Sequence, residues 1–197
     1  MTNVCCSIIV FAVSYGVLIT ALTQFEQDFL DAHNAKRRIV VPTASNMREL
    51  KWSAELASVA LNYSRKCVYG HNPNKYIEAP SFKRVGENLR FDTKENTPFE
   101  VVTSWDDEMH DYDFYANTCV LNVDCGHYTQ VAWAETEYVG CAVTLCNPLV
   151  GKSDSAYYYV CNYGERGNMN GDRPYVAGST CSECPSGYTC TNKLCRQ

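Results

Sequence analysis

The chain has 197 residues, with 22 Asp and Glu against 17 Lys and Arg, and a formal net charge of -5. This acidic balance gives no electrostatic reason to bind nucleic acid, because phosphate binding needs a concentration of basic side chains. The length suits one domain with a full hydrophobic core and leaves no room for a second large domain.

The N-terminal segment has the composition of an export signal. Residues 1–23 contain no Asp, Glu, Lys or Arg, and the stretch from Val4 to Leu22 is mostly apolar but interrupted by polar and small residues. A membrane span needs about 20 predominantly apolar residues, whereas a signal peptide has a shorter apolar core and a small residue at its cleavage site. We predict a signal peptide over residues 1–21, cleaved near Ala21, and a secreted, extracellular protein. An uncleaved signal-anchor is the alternative, because the leader lacks basic residues.

Three amphipathic helices are predicted from their N-terminal caps. The caps are Thr23 with Glu26, Ser53, and Thr97 with Pro98 and Glu100. The first helix should cover residues 24–37, and the third should end near residues 109–112. The second carries an apolar stripe at helical spacing, formed by Leu56, Ala60, Tyr63 and Cys67.

Two strands are predicted in the second half of the chain. Residues 138–145 and 156–163 are rich in Val, Thr, Tyr and Cys and lack helical periodicity. The polar turn at 147–155 between them favours antiparallel pairing. Helices followed by strands indicate an α+β fold.

Cysteine usage points to an oxidising compartment. Of 12 cysteines, Cys5 and Cys6 fall in the leader. The other ten are Cys67, Cys119, Cys125, Cys141, Cys146, Cys161, Cys181, Cys184, Cys190 and Cys195. An even, high count behind an export signal predicts disulfides, although the pairing cannot be deduced. A zinc site built on the C-x-x-C spacing of Cys181 and Cys184 is the rival interpretation.

Residues 178–197 form a short cysteine-rich extension. They hold four of the ten cysteines and few apolar residues, so this segment is expected to depend on its bridges for order.

Five segments carry a family resemblance. The two most informative are Gly126–Trp133 and Tyr159–Asn168, the second closed by Pro174 and Tyr175; the others are 29–37, 50–52 and 86–89. In this order they resemble the CAP superfamily: cysteine-rich secretory proteins, insect antigen 5, plant pathogenesis-related proteins and, closest in type, the venom allergen-like proteins of parasitic worms. The resemblance implies a three-layer α-β-α sandwich over residues 22–177. The extension at 178–197 resembles the hinge appended to some CAP proteins.

The resemblance also implies a central cleft lined by two histidines and two glutamates. The matching positions hold His71, Glu87, Glu108 and His127. Glu108 would lie on a partly apolar helix face, where an unpaired carboxylate is costly. Imidazole and carboxylate ligands suit a divalent ion, so we predict weak Zn or Mg binding at His71 and His127, supported by the glutamates. A hydrogen-bonded polar cluster without metal is an equal alternative.

No catalytic residue is assigned. A hydrolase would use His71 or His127 as general base, but the sequence contains neither an HExxH helix nor a GxSxG elbow. We expect a non-enzyme, with a hydrolase or protease as the less favoured alternative. His33 and His110 are expected to be packed or surface residues and not ligands.

Lipid binding is the favoured function. Several CAP relatives bind sterols through the loop before the first signature, which here is residues 112–125 and contains Tyr112, Phe114 and Tyr115. Others bind fatty acids between two helices, where this chain offers Phe25, Phe29, Phe99 and Val102. The aromatic and aliphatic content of the loop exceeds what a solvated loop requires, although packing beneath the Cys119 and Cys125 bridges would also explain it. We predict a sterol or fatty-acid ligand.

A purely protein-binding role is the alternative. The secreted domain would then act as an effector or immunomodulator on an extracellular protein partner, which nothing in the sequence names. We expect a monomer. Asn62-Tyr63-Ser64 is the only glycosylation sequon, and it predicts a glycan at Asn62.

Overall fold

The computed structural model describes residues 21–197, so the predicted signal peptide lies outside the described residues, apart from Ala21. The helices are α1 (Gln24–Arg37), α2 (Ala54–Ser64), α3 (Lys75–Glu78), α4 (Pro98–Asp106) and α5 (Gly126–Val131). The strands are β1 (Lys51–Trp52), β2 (Val85–Asp92), β3 (Tyr112–Asp113), β4 (Thr118–Cys119), β5 (Tyr138–Cys146), β6 (Ala156–Gly164), β7 (Thr189–Thr191) and β8 (Leu194–Arg196). No helix among these residues is long and apolar enough to cross a membrane.

The central sheet has four strands in the order β1-β5-β6-β2. β1 runs parallel to β5, and the other pairs are antiparallel. The predicted pairing of the two late strands is confirmed, with Cys141 opposite Cys161. The strand β2, which carries Glu87, was not predicted from the sequence.

Helices cover both faces of the sheet. On one face α1, α4 and α5 pack together over a core that includes Phe29, Val102 and Tyr163. On the other face α2 packs on β5 and β6, where Ala60 contacts the cluster around Tyr158. The predicted three-layer α-β-α sandwich is therefore confirmed.

The three predicted caps are present. Thr23 and Thr97 each form a complete capping box with the glutamate three residues on, and Ser53 accepts a hydrogen bond from Leu56 N–H. Two helix ends differ from the prediction. α2 stops at Ser64, so Cys67 lies in the following turn with φ 52° and not on the helix stripe. α4 stops at Asp106 and continues as a tighter 3₁₀ turn over Asp107–Asp111.

A buried arginine joins α1 to the segment after α5. Arg37 is 1% exposed. Its guanidinium donates hydrogen bonds to the carbonyl oxygens of Arg48, Val131, Trp133, Ala134 and Thr136. A guanidinium presents five N–H donors in a fixed plane, so this one side chain binds carbonyl oxygens at the end of α5, in the segment that follows it and before β1.

All ten cysteines of the described chain are in disulfides. The bridges are Cys67–Cys146, Cys119–Cys125, Cys141–Cys161, Cys181–Cys190 and Cys184–Cys195. The rival zinc interpretation of the C-terminal cysteines fails because these sulfurs are bonded to one another and provide no thiolate ligands.

The C-terminal extension is anchored more firmly than its composition suggested. Cys195 N donates to the carbonyl of Met47 (2.7 Å), and Glu49 N donates to the carbonyl of Cys195 (2.9 Å). Leu194 is fully buried in a cluster that contains Met47 and Tyr175. The extension therefore contributes to the core in addition to holding itself together by bridges.

Candidate functional site

The first histidine–glutamate pair joins the loop after α2 to β2. Glu87 lies on β2, and its side chain is 0% exposed. One carboxylate oxygen accepts from Asn72 N–H and lies 2.9 Å from Nδ1 of His71. The His71 side chain is 62% exposed. A buried carboxylate thus holds an imidazole that faces solvent.

The second pair joins the 3₁₀ turn to α5. Glu108 Oε1 lies 2.6 Å from Nδ1 of His127, and Oε2 accepts from the backbone N–H of His127 (3.0 Å) and Tyr128 (3.2 Å). Trp105 stacks on His127 with ring centroids 6.2 Å apart and planes at 20°. His127 and Tyr128 thus satisfy the Glu108 carboxylate. An unpaired carboxylate on a partly apolar face would be costly.

β2 connects the two pairs. Neighbouring residues of a strand point to opposite faces of a sheet, and here Glu87 contacts His71 on the α2 side. The next residue, Asn88, donates to the carbonyl of His127 on the α5 side (3.0 Å). Asn72 and Asn88 were not predicted as site residues, because an asparagine beside a motif carries no signal until its neighbours in space are known.

Both imidazoles present Nε2 as the available ring nitrogen. In each pair a carboxylate takes Nδ1, an arrangement that fixes the ring and leaves Nε2 available to a metal. The four side chains of the tetrad do not bring three ligand atoms within 4.8 Å of one another. Among the described residues, two other clusters of side chains meet this distance, and the cysteines in both are in disulfides. The tetrad is therefore two separate His–Glu pairs joined by β2, each with one ring nitrogen that its glutamate does not bind.

Neither histidine of the tetrad is paired with a hydroxyl or thiol side chain in the described structure. In the described structure the hydrogen bonds of His71 and His127 side chains run to glutamates and to no Ser, Thr or Cys side chain. His33 is fully buried, as expected of a packed residue, and His110 is exposed outside both pairs.

The predicted lipid loop folds as a hairpin of β3 and β4. Tyr115, at its tip, is 74% exposed, whereas Phe114 is 8% exposed and stacks on Tyr175 with centroids 4.6 Å apart. Tyr112 packs on Tyr128 at 5.8 Å. Of the three predicted aromatics, Phe114 thus supports the fold and Tyr115 is the one presented to solvent.

A surface groove of about 550 Å³ runs beside this hairpin. Its apolar lining includes Val41, Tyr115 and Val120, and its polar lining includes His110 and Asp111. Ligand pockets typically have about 300–1,000 Å³, so the groove is large enough for a small lipid.

Two of the four predicted fatty-acid residues lie in the core. Phe29 and Val102 are 0% exposed where α1 packs on α4. Phe25 is half-buried, and exposed Phe99 lies under the ammonium of Lys36 at 5.4 Å. In this structure Phe29 and Val102 offer no surface to a ligand.

Asn62 is exposed on α2, where its side chain is open to modification.

The sandwich and the two His–Glu pairs define a CAP-type domain. The sequence model of the family described as "CAP: Cysteine-rich secretory protein family" matches residues 30–163, and the chain belongs to this family. Together with the five disulfides, this membership indicates an extracellular protein.

Relatives agree with this assignment. The chain is 43% identical to mouse (Mus musculus) peptidase inhibitor 16 over 179 residues, which cover 89% of this chain and 34% of that protein. It is 42% identical to mouse GLIPR1-like protein 1, over 88% of this chain and 72% of that protein. The solved structure of Schistosoma mansoni venom allergen-like protein 4 is 31% identical, covers 80% of this chain and 97% of its own, and has a TM-score of 0.66. The chain thus spans about a third of the length of the mouse peptidase inhibitor.

Proposed function

We propose that this chain is a secreted protein that binds a small apolar lipid of the sterol class in the groove beside the β3–β4 hairpin. The observation that carries the proposal is the set of exposed apolar side chains around that groove. Val41 is 69% exposed, Tyr115 74% and Val120 54%. A soluble protein keeps contiguous apolar surface small unless something covers it. Burial of such side chains is worth about 1.5–3 kcal/mol each.

The presence of polar residues in the lining of the groove favours a sterol over a fully apolar ligand. His110, Asp111 and Thr118 line the same groove as the apolar residues. A sterol has a rigid apolar body and a single hydroxyl, which one of these polar groups would bind. The acidic residues disfavour a fatty-acid carboxylate at this position, because like charges repel.

The groove is pre-organised. The Cys119–Cys125 bridge closes the loop after the hairpin. Arg173 donates to the carbonyls of Phe114 (2.9 Å) and Tyr115 (2.6 Å) and fixes the hairpin tip from the other side. The groove already lies at the surface, so a stiff bridged loop does not prevent entry, and little conformational entropy is lost on binding.

A weakly bound divalent ion, Zn or Mg, is proposed separately at His71 and His127. Lipid binding does not need it. Glu108 keeps its hydrogen bonds to the backbone N–H groups of His127 and Tyr128 when the imidazole is removed, so the contact of Tyr128 with the hairpin residue Tyr112 should persist.

Mass spectrometry of solvent extracts from natively purified protein tests the proposal. We expect a co-purified sterol, and saturable uptake of radiolabelled cholesterol that excess unlabelled palmitate does not displace. Recovery of fatty acid alone, displaced by palmitate, would contradict the assignment of ligand class. The absence of any lipid together with no cholesterol uptake would contradict lipid binding altogether.

A further inference from the structure

The outer edge of β5 is only partly paired. β1 is two residues long, and its partners on β5 are Tyr138 and Val139. The chain then leaves the sheet, because Ser53 caps α2. The remainder of β5, up to Cys146, has no strand beside it on this side in the described chain.

The direction of the backbone groups along this edge follows from two observations. The carbonyl of Val139 accepts from Ser53 N–H (2.9 Å), so it points away from β6. Backbone groups alternate in direction along a strand, so those of Cys141, Val143 and Leu145 also point outward. The 4.1 Å Cα separation of Cys141 and Cys161 agrees, since closely spaced pairs do not exchange hydrogen bonds with each other.

The outward groups of Cys141 and Val143 open into an apolar groove of about 400 Å³, and those of Leu145 lie beyond its end. The first turn of α1 forms one wall, with Phe25 and Glu26, and α2 forms the other, with Ala57 and Leu61. Glu26 is the one charged side chain among the lining residues. In residues 21–197 the backbone N–H and C=O of Cys141, Val143 and Leu145 have no protein partner on this side.

We propose that this edge binds an extended peptide segment of another protein, which adds a strand to β5 where β1 ends. A strand edge with unpaired N–H and C=O groups is a template for pairing with another extended chain. A peptide backbone supplies donors and acceptors in the alternation that Cys141, Val143 and Leu145 present, and a sterol or acyl chain does not. Alternate side chains of the added strand would face Phe25 on one side and Leu61 on the other, so small or medium aliphatic residues fit best.

This site shares no lining residue with the hairpin groove. Peptide binding at this edge and lipid binding in the hairpin groove are therefore independent proposals. It gives the protein-binding interpretation a physical location.

The probe is a displayed library of random heptapeptides, selected on the secreted protein. A selected sequence is then synthesised with a normal backbone and with alternate amides N-methylated, and both are titrated by calorimetry. We expect the methylated peptide to bind at least tenfold more weakly, because it cannot form the ladder. The bound normal peptide should slow amide hydrogen exchange at Val143 and Leu145.

Variants of the edge provide the matched test. Val143→Pro removes one outward N–H and leaves the β5–β6 hydrogen bonds intact, and Val143→Thr keeps the donor as its control. Since a proline can strain the strand, Ser58→Trp is a second variant: Ser58 is exposed and lines the groove, so the indole fills it without core changes. Ser58→Ala is its control.

Both disruptive variants should weaken peptide binding about tenfold or more, and both controls should bind like wild type. Selection of no peptide, or equal binding by wild type and Ser58→Trp, would overturn the proposal. If Ser58→Trp abolishes uptake of palmitate, the groove binds an acyl chain and the proposal is overturned. If Val143→Pro abolishes self-association, the edge binds a second copy of this chain and the proposal is likewise overturned.

Discussion

Nε2 of His33 lies 2.8 Å from the hydroxyl of Tyr163, and both side chains are 0% exposed. Nδ1 of the same ring lies 2.8 Å from the carbonyl of Phe29. A carbonyl can only accept, so Nδ1 carries the proton and Nε2 accepts from the tyrosine. Burial lowers the pKa of His33 to about 4, and the imidazole is neutral in the folded protein near neutral pH.

Acid should therefore weaken the fold through His33. An unfolded chain binds a proton at this histidine below its ordinary pKa of 6.5, and the folded protein does so only near 4. The unfolded state binds more protons between these values, so stability falls as pH falls. The difference in free energy of unfolding between wild type and His33→Gln should shrink by up to about 3 kcal/mol between pH 7 and pH 4. Urea denaturation across this range measures it, and a constant difference would refute the assignment.

Replacing the buried guanidinium should be costly even when the charge is kept. Arg37→Lys retains three donors where the native residue satisfies five carbonyl oxygens. We expect the free energy of unfolding to fall by about 2–4 kcal/mol, because buried acceptors are left unsatisfied. The control is Arg38→Lys, at a partly exposed neighbour whose ion pair with Glu49 spans 3.6 Å. That change should cost less than about 1 kcal/mol, and similar losses in both variants would contradict the account.

Local sequence signals predicted the helix starts and the β5–β6 pair well. Each cap binds an amide three residues further along the chain, as Thr23, Ser53 and Thr97 show. The strands β5 and β6 are joined by one turn. Both signals therefore lie within one continuous stretch of sequence. The strand β2 was missed because it pairs with β6 across some 70 residues and lacks simple alternation, since five successive residues from Val85 are buried.

The His–Glu tetrad was predicted only through family resemblance. His71 and Glu87 are 16 residues apart, and Glu108 and His127 are 19 apart, so no periodicity connects them. The distinction between Phe114 and Tyr115 could not be predicted either. Which of two adjacent aromatics is buried depends on where Tyr175 packs, 60 residues later.

The anchoring of the C-terminal extension gives a stability prediction. Leu194 is 0% exposed beside Met47 and Tyr175. Leu194→Ala should lower the free energy of unfolding by about 2–4 kcal/mol through the cavity it leaves. Thermal unfolding measures this loss, with exposed Lys193→Ala as the neutral control. An unchanged melting temperature in Leu194→Ala would show that the extension does not support the core.

The cleft should bind zinc through both imidazoles. Because their Nε2 atoms come from separate pairs, His71→Ala and His127→Ala should each weaken zinc binding at least tenfold in calorimetric titrations. His110→Ala is the matched control, since this exposed histidine lies outside both pairs. Equal zinc affinity in wild type and in the double variant His71→Ala/His127→Ala would mean that any metal binds elsewhere.

The most direct test of the account is cholesterol binding by single variants of the exposed aromatics. Tyr115→Ala removes the exposed wall of the hairpin groove and should reduce affinity about tenfold or more, since an aromatic side chain buries a large apolar area. Phe99→Ala removes an aromatic that is 54% exposed on α4, away from the groove, and should leave affinity unchanged. His127→Ala should also bind like wild type. If Tyr115→Ala takes up cholesterol as well as wild type while both proteins remain folded, the hairpin groove is not the lipid site and the central claim fails.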